Sequence, residues 1–189
     1  TAKRARHDPT EDPPGPPVTP GPKSRPRDLR AGRRRRQHGC WDHLVVAPLW
    51  VAYTANLGTL ARTCDAVGAC MAVRDMPHYR QALDRGDTLP RRPHIHWVRR
   101  TPLSWLAQER TGGSAIVAVE LAEDATPLTR LAPARRRTVV LLGHEHHGVP
   151  PEAWPLLDEV VQIPMVGRGA SLNVAVAGSL VLHRLAGLA

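Results

Sequence analysis

Three short segments of this 189-residue chain combine residue types that an apolar core does not need. The first is Asn56-Leu-Gly-Thr-Leu-Ala-Arg62-Thr63. It sets an amide that can cap a helix six residues ahead of a long arginine side chain. Six residues do not return to one helix face, yet an amide at the cap and a long arginine can reach one groove. A helix cap and a solvated arginine would give the same pattern. The second is Leu141-Leu142-Gly143-His144-Glu145-His146-His147-Gly148-Val149-Pro150. A strand that runs into Gly-x-Glu-x-x-Gly lets backbone amides approach a ligand, because glycine has no side chain to block contact. Its three histidines and glutamate raise a metal site, but neighbours on an extended chain point to opposite sides and the helical HExxH spacing is absent. Exposed histidines are the plainer reading. The third is Ile163-Pro-Met165-Val-Gly-Arg-Gly-Ala-Ser171-Leu172-Asn173-Val174, a Pro- and Gly-rich loop whose main chain can wrap a small molecule. Ser171 and Asn173 can each cap the helix that follows, although capping needs only one of them.

These segments must be held by the elements around them, and short apolar runs alternating with helical segments from about residue 43 predict an α/β domain with a mainly parallel sheet flanked by helices. His43 to Pro48 reads as a first buried strand. Asn56 then stands at the N-cap position ahead of Leu57, Leu60, Ala61, Cys64 and Val67, with Gly68 as the stop. Ala69 to Val73 reads as the second strand. Residues 75 to 93 contain Pro77, Gly86, Pro90 and Pro93 among charges, which predicts a loop with at most one short helical turn. Ile95 to Val98 reads as a short strand. Thr101-Pro102 opens a helix through about Arg110, with proline at the first helical position, and Gly112-Gly113 ends it. Ser114 to Glu120 and Thr138 to Leu142 follow as strands, joined by a Pro- and Arg-containing connection. A short helix over Pro150 to Leu157, a last strand over Val160 to Ile163 and a closing helix from Ser171 to about Leu185 complete the pattern. The three chemical segments thereby fall at strand ends, where ligands bind in open α/β sheets.

Composition excludes several classes. There is no run of 18 apolar residues and no apolar N-terminal stretch of the signal-peptide kind, so neither a transmembrane helix nor secretion is predicted, and a cytoplasmic location is expected. Cys40, Cys64 and Cys70 are an odd number without CxxC spacing, which argues against a disulfide framework or a zinc ribbon. Cys64 and Cys70 are expected as small core residues. The net charge of +9 is unevenly placed: residues 1–37 carry 11 Lys and Arg against 4 Asp and Glu, whereas residues 38–189 carry 15 against 13. Eight of the 19 prolines also lie in the first 37 residues. Such a segment cannot bury enough apolar surface to offset its ordering entropy, so residues 1–37 are expected as a disordered basic arm and residues 38–189 as one folded domain.

In order and spacing, the segments Asn56 to Thr63, Gly143 to Gly148 and Pro164 to Val174 resemble the motifs of the SpoU/TrmH family of RNA ribose 2′-O-methyltransferases, within the SPOUT superfamily. The resemblance covers roughly residues 43 to 187. No one of the three motifs is specific alone; their co-occurrence near the C-terminus carries it. It implies an α/β fold with a C-terminal trefoil knot, an exception to the no-knot rule, formed by the loops at 143–150 and 164–172. It implies S-adenosyl-L-methionine as cofactor, gripped by main-chain groups near Leu142, Gly143, Ile163, Met165 and Leu172 with Ser171 close by. A homodimer is implied, with the first-motif and last helices packed together and RNA crossing the interface. The apolar face of Val174, Val176, Leu180, Val181 and Leu185 fits such a contact, and an intrachain core explains it equally well. No metal or membrane is required.

The implied reaction moves a methyl group from a sulfonium to a ribose 2′-oxygen, a poor nucleophile that needs a proton acceptor or electrostatic help and in-line placement. By the family's pattern Arg62 acts at the 2′-OH. Arginine is a difficult base, with a pKa above about 12, so an anchor for phosphate and developing alkoxide serves equally. Asn56 would position that arginine or the substrate, Glu145 would orient Arg62 by charge-assisted pairing, and Ser171 with Asn173 would shape the site. Family members that modify rRNA often carry a separate N-terminal RNA-binding domain. Little before residue 43 resembles one, so tRNA is the expected substrate, with rRNA, or a non-catalytic RNA-binding role, as the alternatives. Deleting residues 1–37 should weaken RNA binding and flatten its salt dependence in filter-binding titrations without lowering the melting temperature, since basic arms act mainly through phosphates.

Overall fold

A computed structural model describes residues 43–86, 92–169 and 171–189. The expected basic arm at 1–37 and Cys40 lie outside these residues. Seven strands form one sheet: β1 (Leu44–Ala47), β2 (Cys70–Arg74), β3 (Ile95–Val98), β4 (Ala115–Val119), β5 (Thr126–Pro127), β6 (Thr138–Leu142) and β7 (Glu159–Gln162). Their order is β3-β2-β1-β6-β4-β7-β5, and every pairing is parallel. Helices α1 (Ala55–Val67), α2 (Pro77–Gly86), α3 (Pro102–Thr111) and α4 (Val174–Leu185) provide the cover.

Strand alternation divides the core into two layers. Leu44, Val46, Met71, Val73, Val140 and Leu142 face Leu57, Leu60 and Cys64 of α1, Tyr79 and Leu83 of α2, and Val181, Leu182 and Leu185 of α4. Val45, Ala47, Cys70, Ala72, Val139 and Leu141 point the other way, toward Leu106 of α3 and Ala153. Burial on both faces is why the central strands read as unbroken apolar runs. Cys64 and Cys70 are buried free thiols, as expected, and burial, reinforced by Cys70, pushes the Cys64 thiol well up.

Three local expectations are corrected. The segment after β2 holds a ten-residue helix, α2, rather than a loop with one turn. Pro77 occupies its first position, where a missing N–H costs nothing, and Tyr79 and Leu83, four residues apart, bury on one face. The Tyr79 hydroxyl also donates to the Val51 carbonyl at 2.9 Å. Asn56 is not the cap of α1: the helix starts at Ala55 after Thr54, which leaves the Asn56 side chain for a different task. Helix α4 starts at Val174, not Ser171, because Asn173 is its cap and accepts from the amides of Ala175 at 2.9 Å and Val176 at 3.3 Å. The connection from β4 to β6 also contains β5, a strand the sequence does not signal. The expected end of α1 and start of α3 hold. Gly68 closes α1 in the left-handed conformation, φ 77°, and Thr101 caps α3 ahead of Pro102.

The loop after β6 folds tightly back on itself. His144 and Gly148 exchange backbone hydrogen bonds at 2.9 and 2.8 Å, and a Cβ on Gly143 would collide with the backbone of Gly148 and Val149. Backbone cannot give way as a flexible side chain can, so Gly143→Ala should cost about 1–3 kcal/mol or more in chemical denaturation. Gly167→Ala, where an added Cβ meets nothing within 4 Å, should stay within about 0.5 kcal/mol of the parent.

Candidate active site

The strand order sets β1, β6, β4 and β7 side by side, so their C-terminal ends and the loops that leave them gather at one edge of the sheet. A cleft of about 490 Å³ opens there. Its walls come from Val119, Glu120 and Leu121 after β4, from the loop Gly143 to Val149 after β6, and from Val161, Gln162, Ile163 and Met165 at β7. Ser171, Leu172, Val174 and Ala177 close it beside α4, with Trp154 on the remaining side. The volume lies within the roughly 300–1,000 Å³ of small-molecule sites, and a mostly apolar wall with a few polar groups is their usual composition.

Of the residues expected to hold a cofactor, Gly143, Ile163, Met165, Ser171 and Leu172 line this cleft. Leu142 does not. Its side chain is 1% exposed and packs into the core beneath α4, where a Cβ on Gly178 would press on it. Sequence reasoning missed Glu120, whose Oε2 accepts from the Val149 amide and Oε1 from the Leu121 amide, both at 3.0 Å. That carboxylate packs against Gly148, φ 68°, where any side chain would strike it. An acidic residue closing the apolar run Ala-Ile-Val-Ala-Val was the available signal.

Beside the cleft, three of the expected residues meet. Glu145 Oε1 accepts from Asn56 Nδ2 at 2.8 Å and from the Tyr53 amide at 3.1 Å, while Oε2 accepts from the Ala52 amide at 2.8 Å. Asn56 Oδ1 in turn accepts from Asn173 Nδ2 at 3.0 Å. One chain of hydrogen bonds thus ties the β1–α1 loop, the loop after β6 and the cap of α4. Asn56, only 8% exposed, uses donor and acceptor alike. Burial disfavours charge on Glu145. The Ala52 amide, its own amide, the Tyr53 amide and Asn56 together outweigh that and hold its carboxyl below the usual carboxylate range.

The expected Glu145–Arg62 pair is a correction. Both Glu145 oxygens are committed to amides, and Arg62 points outward from α1, exposed, with no hydrogen bond or ion pair among the described residues. Its neighbour Thr63 faces inward and shares a hydrogen bond with Ser179 of α4 at 2.6 Å. Neither Arg62 nor Asn56 lines the cleft. The histidines pack on one another, His144 and His147 at 4.6 Å between ring centroids, and His146 bonds the Tyr53 hydroxyl at 3.2 Å. Among the described residues no group of three or more His, Cys, Asp or Glu is placed to hold a metal ion, and no helix is long and apolar enough to cross a membrane.

With this geometry in view, residues 43–183 match the family model described as the SpoU rRNA Methylase family. The chain belongs to that family. The matched span runs from the start of β1 into α4 and takes in all three chemical segments. Among curated relatives, a tRNA (guanosine(18)-2′-O)-methyltransferase of Thermus thermophilus is 33% identical over 167 residues, which cover 84% of this chain and 80% of that protein. A mouse protein of the same description is 29% identical over 151 residues, 75% of this chain but 9% of its own length. Among solved structures, an AdoMet-bound rRNA methyltransferase from Sinorhizobium meliloti superposes with a TM-score of 0.64 at 25% identity, over 81% of this chain and 59% of that one. The α/β fold with its parallel sheet is therefore that of a SpoU methylase.

The Glu145 network predicts an acid response. A carboxyl whose folded pKa lies below its unfolded value stabilises the fold above the unfolded value, and that contribution is lost as pH falls through the folded one. Melting temperatures of the parent should therefore fall more steeply between about pH 5 and pH 3 than those of Glu145→Gln, whose amide does not titrate.

Proposed function

We propose that this chain is an S-adenosyl-L-methionine-dependent RNA methyltransferase that modifies a ribose 2′-hydroxyl, with tRNA as substrate. The observation that carries the reading is the cleft at the strand ends. Its walls are the two Gly/Pro-rich loops of the family pattern, and the Asn56–Glu145–Asn173 chain braces it. The cleft suits the cofactor chemically, because apolar walls at Val119, Val161, Ile163 and Leu172 accept an adenosine and the main chain at Gly143, Met165 and Ser171 supplies directional contacts. When bound, S-adenosyl-L-methionine supplies an electrophilic methyl group. Glu120 holds the loop at Gly148–Val149 against β4, so the seat is set before the ligand arrives.

Arg62 is the residue assigned to the substrate. It is a guanidinium without a partner among the described residues, available to a ribose phosphate and to the oxygen that gains negative charge. Asn56 sits two turns up the same helix, at the network that sets the loops. The exposed apolar groups Val176 (46%) and Leu180 (42%) on α4 support a homodimer, since Val181 and Leu185 of the same helix are already spent on the intrachain core. A second copy covering them brings another molecule to the exposed face of α1 and α4. In this reading residues 38–189 form the catalytic domain, with its C-terminal loops threaded as a trefoil knot. Residues 1–37 contact phosphates, and the work is done in the cytoplasm. The S. meliloti neighbour, an rRNA methyltransferase by description, favours rRNA as the second reading.

Calorimetry should show S-adenosyl-L-methionine binding, and tritium from the labelled cofactor should enter the 2′-position of bulk tRNA and not of bulk rRNA. Label confined to rRNA selects the second reading. A folded protein that binds RNA in filter-binding titrations and labels neither is a non-catalytic RNA-binding protein on this fold. Arg62→Ala should lower methyl transfer at least about 100-fold while cofactor affinity stays within about twofold; loss of cofactor affinity in a folded variant overturns that assignment.

A further inference from the structure

A second cavity, about 460 Å³, lies on the other side of the loop that walls the cofactor cleft. The two share only His144, His147 and Gly148. The second is built at the C-terminal ends of β1 and β2, from Trp50 and Val51, Arg74 and Tyr79, with Pro150 and Pro151 at its edge. The chemistry of its wall differs from that of the cleft.

Arg74 is the distinctive group. Three arginines of the described residues are half-buried, and two are committed: Arg137 to Glu109 at 2.9 Å and Arg184 to the Leu131 carbonyl at 2.6 Å. The Arg74 guanidinium makes no hydrogen bond or ion pair among the described residues. The carboxylate next to it in sequence, Asp75, is taken by Arg80 at 2.6 Å and Arg99 at 3.1 Å. The charge of Glu145 is felt at Tyr79, yet its oxygens are filled by the Ala52 and Tyr53 amides and Asn56, and it is not part of the wall. A half-buried guanidinium without an anion is thus set beside a half-exposed indole and two imidazoles. Cations that fork onto phosphate, next to a flat aromatic face that accepts any base, are the two halves of a nucleotide site.

We propose that the Trp50–Arg74 cavity holds a nucleotide of the bound RNA, its base against Trp50 and its phosphate on Arg74, one loop away from the cofactor. This rests on the RNA methyltransferase reading and adds to it a contact that none of the three family segments contains. It fits the placement of ligands outside the carboxyl ends of parallel strands.

The test measures bulk tRNA affinity of the full chain in the presence of S-adenosyl-L-methionine, for the parent, Arg74→Ala, Arg74→Lys and Trp50→Leu. Melting temperature and cofactor affinity are read in parallel. Trp50→Leu keeps an apolar side chain at this position while removing the stacking face. The expected result is a loss of tRNA affinity of about five- to tenfold in Arg74→Ala and in Trp50→Leu, partial recovery in Arg74→Lys, and cofactor affinity within about twofold of the parent. The slope of log affinity against log salt should fall by about 0.7–1 in Arg74→Ala. Parental tRNA affinity in both folded variants, with label still transferred by the parent, overturns the proposal and leaves the methyltransferase reading standing. A parent that binds no RNA and transfers no label overturns both. If 5′-GMP binding is lost in Arg74→Ala while tRNA affinity is not, the cavity serves a free nucleotide and the RNA assignment fails.

Discussion

The carboxylate of Glu145 joins pieces of chain that are distant in sequence, and the arrangement of the site depends on it. Residues 52, 53 and 56 lie about ninety positions before it, and through Asn56 it reaches the cap of α4 at Asn173. Each bond satisfies a donor that would otherwise need water at a strand end, and charge-assisted bonds to amides are stronger than neutral ones. The same atoms therefore end one loop, start one helix and set another. Replacing any one of the three side chains would release two segments at once.

Sheet order makes that network possible. Placing β6 between β1 and β4 brings the loop after β6 beside the loop after β1, while β7 on the far side of β4 delivers the segment that leads into α4. Parallel strands end on the same side, so all of these loops emerge together. Glycine is needed where the loop after β6 doubles back: Gly143 lies against the backbone of Gly148 and Val149, and Gly148 against Glu120. Two carboxylates thus pin this loop: Glu120 reaches into it from the end of β4, and Glu145 reaches out of it to the loop after β1 and to Asn56.

Charge is divided between structure and recognition. Arg80, Arg99, Arg110 and Arg137 pair with acids, and Arg184 braces the C-terminal helix against carbonyls. Arg62 and Arg74 make no such contact among the described residues. They lie on α1 and at the end of β2. Cations without internal partners are what a polyanionic ligand would require, and on the proposed reading Arg62 and Arg74 serve that purpose.

Much of this was legible in residue order alone. Strands buried on both faces read as apolar runs, Gly68 marked the end of α1, and Gly143, Ile163, Met165, Ser171 and Leu172, singled out on two loops, line one cleft. Helix α2 escaped because Pro77 and the later Pro90 and Pro93 read as breakers, while its two buried anchors, Tyr79 and Leu83, depend on packing against the rest of the core. Glu120 escaped because the acid that closes its apolar run marks a strand end, while its bond to the Val149 amide depends on the loop after β6 packing beside β4. Asn56 looked like a cap because that role is read locally, while the pairing of Glu145 with Arg62 came from the family resemblance and not from the residues themselves. By itself the sequence determined the periodicities, the backbone permissions of glycine and proline, and the presence of the family's three segments. Which donors each carboxylate accepts, and which arginines are left free, only the tertiary structure decided, because hydrogen bonds form between atoms brought within about 3 Å by the strand order, whatever their separation along the chain.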